Sequence, residues 1–139
     1  MEAKQLLTVR EHIIEIEPPD LVIIRMRGEV SPKDIEGFAA VTSQHCGTWP
    51  YVLYISDNTR MTHMSPEARK AAMNISATGP GMGGFAIIGS GAMAMISSML
   101  LKMIALVQKM DNPTVMVKTE AEARAWIDRR RAELATKVA

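Results

Sequence analysis

The chain has 139 residues, of which 47% are hydrophobic and 22% charged, with a formal net charge of +1. That size and balance fit one globular domain with a real core and exclude a disordered tail or a broadly basic nucleic-acid binder. A lone cysteine, Cys46, excludes an internal disulfide and points to a reducing cytosol.

Met1 to His12 mixes charges with short apolar pieces and lacks the long apolar core of a secretory signal. His12–Ile16 reads as a short strand, broken by Glu17-Pro18-Pro19-Asp20, and the β-branched run Leu21–Val30 follows as its antiparallel partner at a sheet edge. Ser31-Pro32-Lys33-Asp34 carries helix-opening chemistry: an N-cap serine, proline at the first helical position and an acid in the first turn. Ile35, Phe38, Ala39 and Thr42 form that helix's inward face, and Gly47 and Pro50 stop it. Tyr51–Ser56 is a continuous apolar strand of the kind buried on both faces of a parallel sheet. Asp57–Met64 reads as a polar loop, and Ser65-Pro66-Glu67 opens a helix to about Ala77.

Thr78–Gly84 reads as a glycine-rich turn, Phe85–Gly89 as a fourth strand and Ala92–Met110 as a long helix. Asn112-Pro113 ends it, Thr114–Lys118 is the fifth strand, and Thr119-Glu120-Ala121-Glu122 is a capping box opening the last helix. That helix turns Ala123, Trp126, Ile127 and Leu134 inward, and its arginines 124, 129, 130 and 131 read as a solvated face. The order β-β-α-β-α-β-α-β-α predicts one α/β domain over 1–139. Its five-stranded, mixed but mostly parallel sheet has an antiparallel edge hairpin and is packed by four helices.

Methionine is the compositional anomaly: twelve, against two each of Phe, Tyr and Trp. Drift among similar-sized core residues is one cause; a surface that accepts hydrophobic partners is the other. The run Phe85–Val107 carries a single charge, Lys102. Its glycines at 89 and 91 divide it into a strand and a helix, so it reads as a core helix rather than a membrane span. Apolar residues still wrap almost around this helix, which calls for a second burial partner: another helix, a homodimer interface or a lipid-like ligand.

Gly79–Gly84 matches GxGxxG but precedes a strand, so it cannot place a helix N-terminus on a pyrophosphate. Gly89-Ser90-Gly91-Ala92-Met93-Ala94 sits in the right context but lacks the acid about twenty residues on; it fits a tight turn or a polar headgroup better than a dinucleotide. His12, His45 and His63 lack metal-ligand spacing, and Cys46 reads as a buried helix-end thiol. No metal or cofactor is implied. The polar stretch after the Tyr51–Ser56 strand should meet the Gly89–Gly91 turn at the carboxyl edge of the sheet, where ligands bind in such folds. The candidate ligand-binding residues are therefore Asp57, Arg60, His63, Ser90 and Gly91, with Met95 and Met99 for an apolar part.

The strings YVLYISDNTRMTHMSPEARKAAM, FAIIGSGAMAMISSMLLKMIALV and NPTVMVKTEAEARAWI together resemble the SpoIIAA-like STAS family, in the bacterial branch grouped with CRAL-TRIO-type lipid carriers. The resemblance implies a β-α fold with a mixed sheet, protein partners or a lipid ligand, and a serine phosphoswitch whose comparable position is Ser65. Around it this chain has Thr62-His63-Met64-Ser65-Pro66 in place of an Asp-Ser-Ser-Gly type of motif. The leading expectation is a non-enzymatic cytoplasmic module, peripheral to a membrane or binding a hydrophobic or amphipathic ligand. An anti-sigma-antagonist-type regulator switched at Ser65 comes second, and an enzyme using Asp57 or His63 third.

Overall fold

The computed structural model describes residues 4–75, 82–89, 91, 95, 99, 102, 103 and 113–138. They form six strands, β1 (Gln5–Val9), β2 (His12–Glu17), β3 (Leu21–Val30), β4 (Val52–Met64), β5 (Met82–Ile88) and β6 (Thr114–Val117). The helices are α1 (Pro32–Cys46), α2 (Pro66–Ile75) and α3 (Glu120–Val138). The sheet order is β1-β2-β3-β4-β5-β6; β1-β2-β3 are antiparallel and β3 to β6 parallel.

Period-two alternation splits the strands between two cores. Val22, Ile24, Val52, Tyr54, Phe85 and Ile87 face one way, against Ile35 and Phe38 of α1 and Ala68 of α2. Leu21, Ile23, Leu53, Ile55, Ala86 and Ile88 face the other, against Ala123 and Ile127 of α3. Trp126 and Leu134 pack at the margin of this second core, as the helix-face pattern predicts. Cys46 is buried at the end of α1. The helix caps are as the sequence indicates. Ser31 and Asp34 form a reciprocal capping box at α1, and Thr119 Oγ1 accepts from the Glu122 amide at α3.

Four expectations are corrected. First, the sheet has six strands, not five, and β1 forms its edge. The β1–β2 turn is Arg10-Glu11, without the Gly or Asn that normally signals a two-residue hairpin. Arg10 itself takes φ 55, a left-handed conformation uncommon outside glycine. Its guanidinium is tied to Asp34 (3.0 and 2.6 Å) and to the Glu29 carbonyl (2.7 Å), so tertiary contacts hold the turn that local sequence does not encode.

Second, Asp57–Met64 is strand and not loop. It continues β4 beside the second half of β3, with register shifts between Arg25 and Arg27 and between Gly28 and Glu29. β4 contributes the extra residue at each shift, and this breaks the alternation that marks a strand. Third, Gly83 and Gly84 belong to β5, where the lack of a side chain admits α3. A Cβ on Gly84 would lie 2.9 Å from Trp126.

Fourth, the α3 arginines are not merely solvated. Arg130 is buried with Nε donating to the Gly83 carbonyl (2.6 Å), and Arg131 grips Asp20 (2.7–3.1 Å). The turn at 76–81 and most of the helix expected over Ala92–Met110 lie outside the described residues; positions 95, 99, 102 and 103 within it are helical. No described helix is long and apolar enough to cross a membrane.

Candidate functional site

On the α3 side of the sheet, the face that begins with Leu21 and Ile23 on β3 turns charged at Arg25. This guanidinium pairs with Glu15 on β2, with Glu120 at the start of α3 (2.9 Å) and with Asp57 on β4 (3.3 Å). Glu120 passes the chain to Arg124 (3.1 Å), Arg124 to Glu17 (2.8 Å), Glu17 to Lys4 (3.5 Å), and Lys4 back to Glu15 (2.8 Å). Acid and base thus alternate around a closed ring that lashes α3 to the β1-β2-β3 end of the sheet. Burial works against the Arg25 charge, but hydrogen bonds to Glu120 and Glu15 outweigh it and raise the group above its ordinary range. Burial likewise opposes the Glu15 charge, and Lys4 and Arg25 overcome it to hold that carboxyl below the usual carboxylate range.

Beside the ring, where β3 and β4 run on past the end of β5, lies a cleft of about 280 Å³ lined by Arg25, Met26, Arg27, Asp57, Thr59 and Arg60. Arg25 and Asp57 are register partners, and so are Arg27 and Arg60. Asp57 is engaged at both oxygens: Oδ1 accepts from the Thr59 amide (3.1 Å) and hydroxyl (2.7 Å), while Oδ2 accepts from Arg25. The volume falls below the roughly 300–1,000 Å³ of typical small-molecule sites. It suits a headgroup-sized ligand and not an enclosed acyl chain.

The structure therefore gathers two of the sequence candidates, Asp57 and Arg60, and adds Arg25, Arg27 and Thr59. Arg25 and Arg27 were legible as charges alternating with Met26 inside a core strand, a pattern that marks one polar face. His63 is exposed further along β4, paired in register with Glu29 and outside the cleft lining. Gly89 leaves β5 just beyond Ile88, the register partner of Asp57. Gly91 is exposed with φ 85 and Ser90 lies outside the described residues. Ser65 caps α2: its Oγ accepts from the Ala68 amide (3.0 Å).

Met95 and Met99 are placed differently from a core helix. They are 58% and 62% exposed, and Met103, one further turn along, is 51% exposed. Lys102 is exposed between them. Spacing of four residues puts the three methionines on one helix face.

No family model and no curated protein sequence matches the chain. Among solved structures, it is similar to an uncharacterized protein of the DUF3478 family with a SpoIIAA-like fold from Shewanella loihica. That likeness has 13% identity and a TM-score of 0.60, covering 89% of this chain and 91% of the other. It is also similar to the anti-sigma factor antagonist SpoIIAA in its unphosphorylated form, at 20% identity and a TM-score of 0.47, covering 93% and 98% of the two chains. The fold assignment rests on the first of these: the chain has a SpoIIAA-like fold.

Proposed function

We propose that this SpoIIAA-like domain is a non-enzymatic binding module whose partner is an amphipathic lipid, met as a membrane surface through the methionine face at 95, 99 and 103. The observation that carries the reading is the exposure of three long apolar side chains on successive helical turns. Flexible thioethers adapt to irregular apolar surfaces, and the exposed Lys102 beside them suits anionic headgroups. The rival enzymatic reading loses support from the same structure. Both Asp57 oxygens are occupied. His63 lies six residues along the strand, at roughly 3.3 Å per residue, too far to share one reacting group with Asp57.

Co-sedimentation with phosphatidylcholine vesicles containing phosphatidylglycerol tests the proposal. The wild-type chain is expected to bind, and the Met95→Ser/Met99→Ser/Met103→Ser variant to bind at least roughly tenfold more weakly, from the apolar area lost. A wild type that ignores vesicles but dimerises through the same residues in sedimentation velocity would transfer this face to a homodimer.

A second reading, a protein-interaction regulator switched at Ser65, is favoured by one local observation. Arg69, one turn into α2, donates from Nη2 to the carbonyl of Met64, the residue before Ser65 (3.2 Å), and has a buried Nε without a hydrogen-bond partner among the described residues. Intact-mass analysis of the protein isolated from its own cells tests it, an unmodified Ser65 counting against the switch. Apart from any switch, Ser65→Ala removes the α2 cap and should cost about 1 kcal/mol in urea unfolding.

A further inference from the structure

We infer that the cleft between β3 and β4 is a binding site for a tetrahedral oxyanion of the phosphate-monoester class, held between the guanidinium groups of Arg27 and Arg60. The inference goes beyond the methionine face and does not need it.

The free protein holds two like charges side by side at the exposed ends of β3 and β4. Arg27 and Arg60 are direct register partners on neighbouring parallel strands, and such strands lie about 4.8 Å apart. Like charges placed opposite each other in a sheet are destabilising. Other arginines on this side of the sheet have carboxylates: Arg25 has Glu15, Asp57 and Glu120, Arg124 has Glu17 and Glu120, and Arg131 has Asp20 and Asp128. Arg27 and Arg60 face each other across the two strands, and neither has an ion-pair partner among the described residues.

The acid that shares the cleft with them does not pair with them. Asp57 lines the same cleft, but Arg25 and Thr59 hold its oxygens. Arg25, Arg27 and Arg60 against Asp57 leave the lining with an excess of positive charge. The register shift between the Arg25 and Arg27 pairs brings Arg60 opposite Arg27; without it Thr59 would stand there. Bulges of this kind re-aim side chains beside binding sites. Both arginines line one small concave volume, and the planar fork of arginine takes phosphate in a bidentate manner. A phosphate at this place would relieve the repulsion.

The ligand chemistry has two sources, a soluble phosphate ester or a phosphorylated lipid headgroup. The test uses inorganic phosphate first. Thermal unfolding at matched ionic strength should show a phosphate-dependent rise in Tm over chloride. Arg27→Gln and Arg60→Gln should each abolish that rise and weaken phosphate binding in calorimetry by roughly tenfold or more. Both substitutions should also leave the Tm in chloride equal to or above that of the wild type, because they remove a like-charge pair; a purely structural arginine would lower it. The methionine triple variant should keep the full phosphate response, so failure of the lipid-surface proposal and failure of this one are separately visible.

Glycerol phosphate and phosphatidylcholine vesicles doped with phosphatidic acid then identify the source. Arginine-dependent binding of the first alone assigns a soluble ester, and of the vesicles a headgroup. Phosphate binding that survives both substitutions, or a Tm that responds no more to phosphate than to chloride, overturns the site.

Discussion

Asp34→Ala is expected to lower the stability of the domain by about 3 kcal/mol, enough to drop Tm by on the order of 10 °C. Asp34 is almost wholly buried and serves three partners. Its Oδ2 accepts from the Ser31 amide (2.8 Å), which closes the α1 capping box. Its two oxygens take Arg10 in a fork. It also faces Nε2 of His12 at 3.2 Å, and His12 is fully buried. Nδ1 of His12 accepts from the Arg27 amide (3.0 Å), so in the neutral ring Nε2 carries the proton, and that proton lies off the line of a hydrogen bond to the carboxylate. Truncation leaves the helix end unpaired and takes the nearby negative charge from buried His12, and it releases the Arg10 turn that attaches β1.

The same residue sets a pH dependence. The Arg10 guanidinium, helped by Ser31 and His12, holds the Asp34 carboxyl well below the usual carboxylate range despite its burial. A depressed folded-state pKa contributes stability that is complete above the unfolded value, about 3.9, and is lost as pH falls below it. Glu15, Glu17 and Glu120 are shifted in the same direction. Urea midpoints should therefore be flat from neutral pH to about pH 5 and fall steeply below about pH 4. Asp34→Asn should start lower and fall less. Parallel curves for the two proteins would show that Asp34 is not the dominant acid-sensitive group.

Gly84→Val should cost about 2–3 kcal/mol, through overpacking and not through backbone strain. The first added carbon alone would stand 2.9 and 3.2 Å from the Trp126 ring and 3.3 Å from Arg130 Cγ. Valine adds two methyl groups to that contact. To make room, α3 must lift from β5, which stretches the bond from Arg130 Nε to the Gly83 carbonyl and loosens the buried guanidinium. Thermal unfolding gives the magnitude. Trp126 fluorescence, read in a Trp49→Phe background, should shift to the red as the indole leaves the sheet. An unchanged spectrum with an unchanged Tm would mean that the helix and strand are not in contact at this glycine.

Much of the fold was legible because its determinants are local. The alternation of Leu21–Val30 assigns Val22 and Ile24 to one core and Leu21 and Ile23 to the other without reference to any neighbour. Ser31-Pro32 and Thr119–Glu122 announce their helices through side chains that reach only three residues along the chain. The same locality made Asp57 and Arg60 recognisable as polar groups following a core strand. What the sequence by itself determined was the order of the described elements from β2 onward and the inward faces of α1 and α3.

Only the tertiary structure decided that the site is cationic, because charge balance there is settled by partners far away in the chain. Arg25 answers to Glu15 and Glu120, and Asp57 is spent on Arg25 and Thr59, while the β4 bulge brings Arg60 opposite Arg27. The burial of Arg130, the strand character of Asp57–Met64 and the attachment of β1 follow the same logic. Each depends on a hydrogen-bond partner brought near by chain crossover, and no pattern within a single segment records who that partner will be.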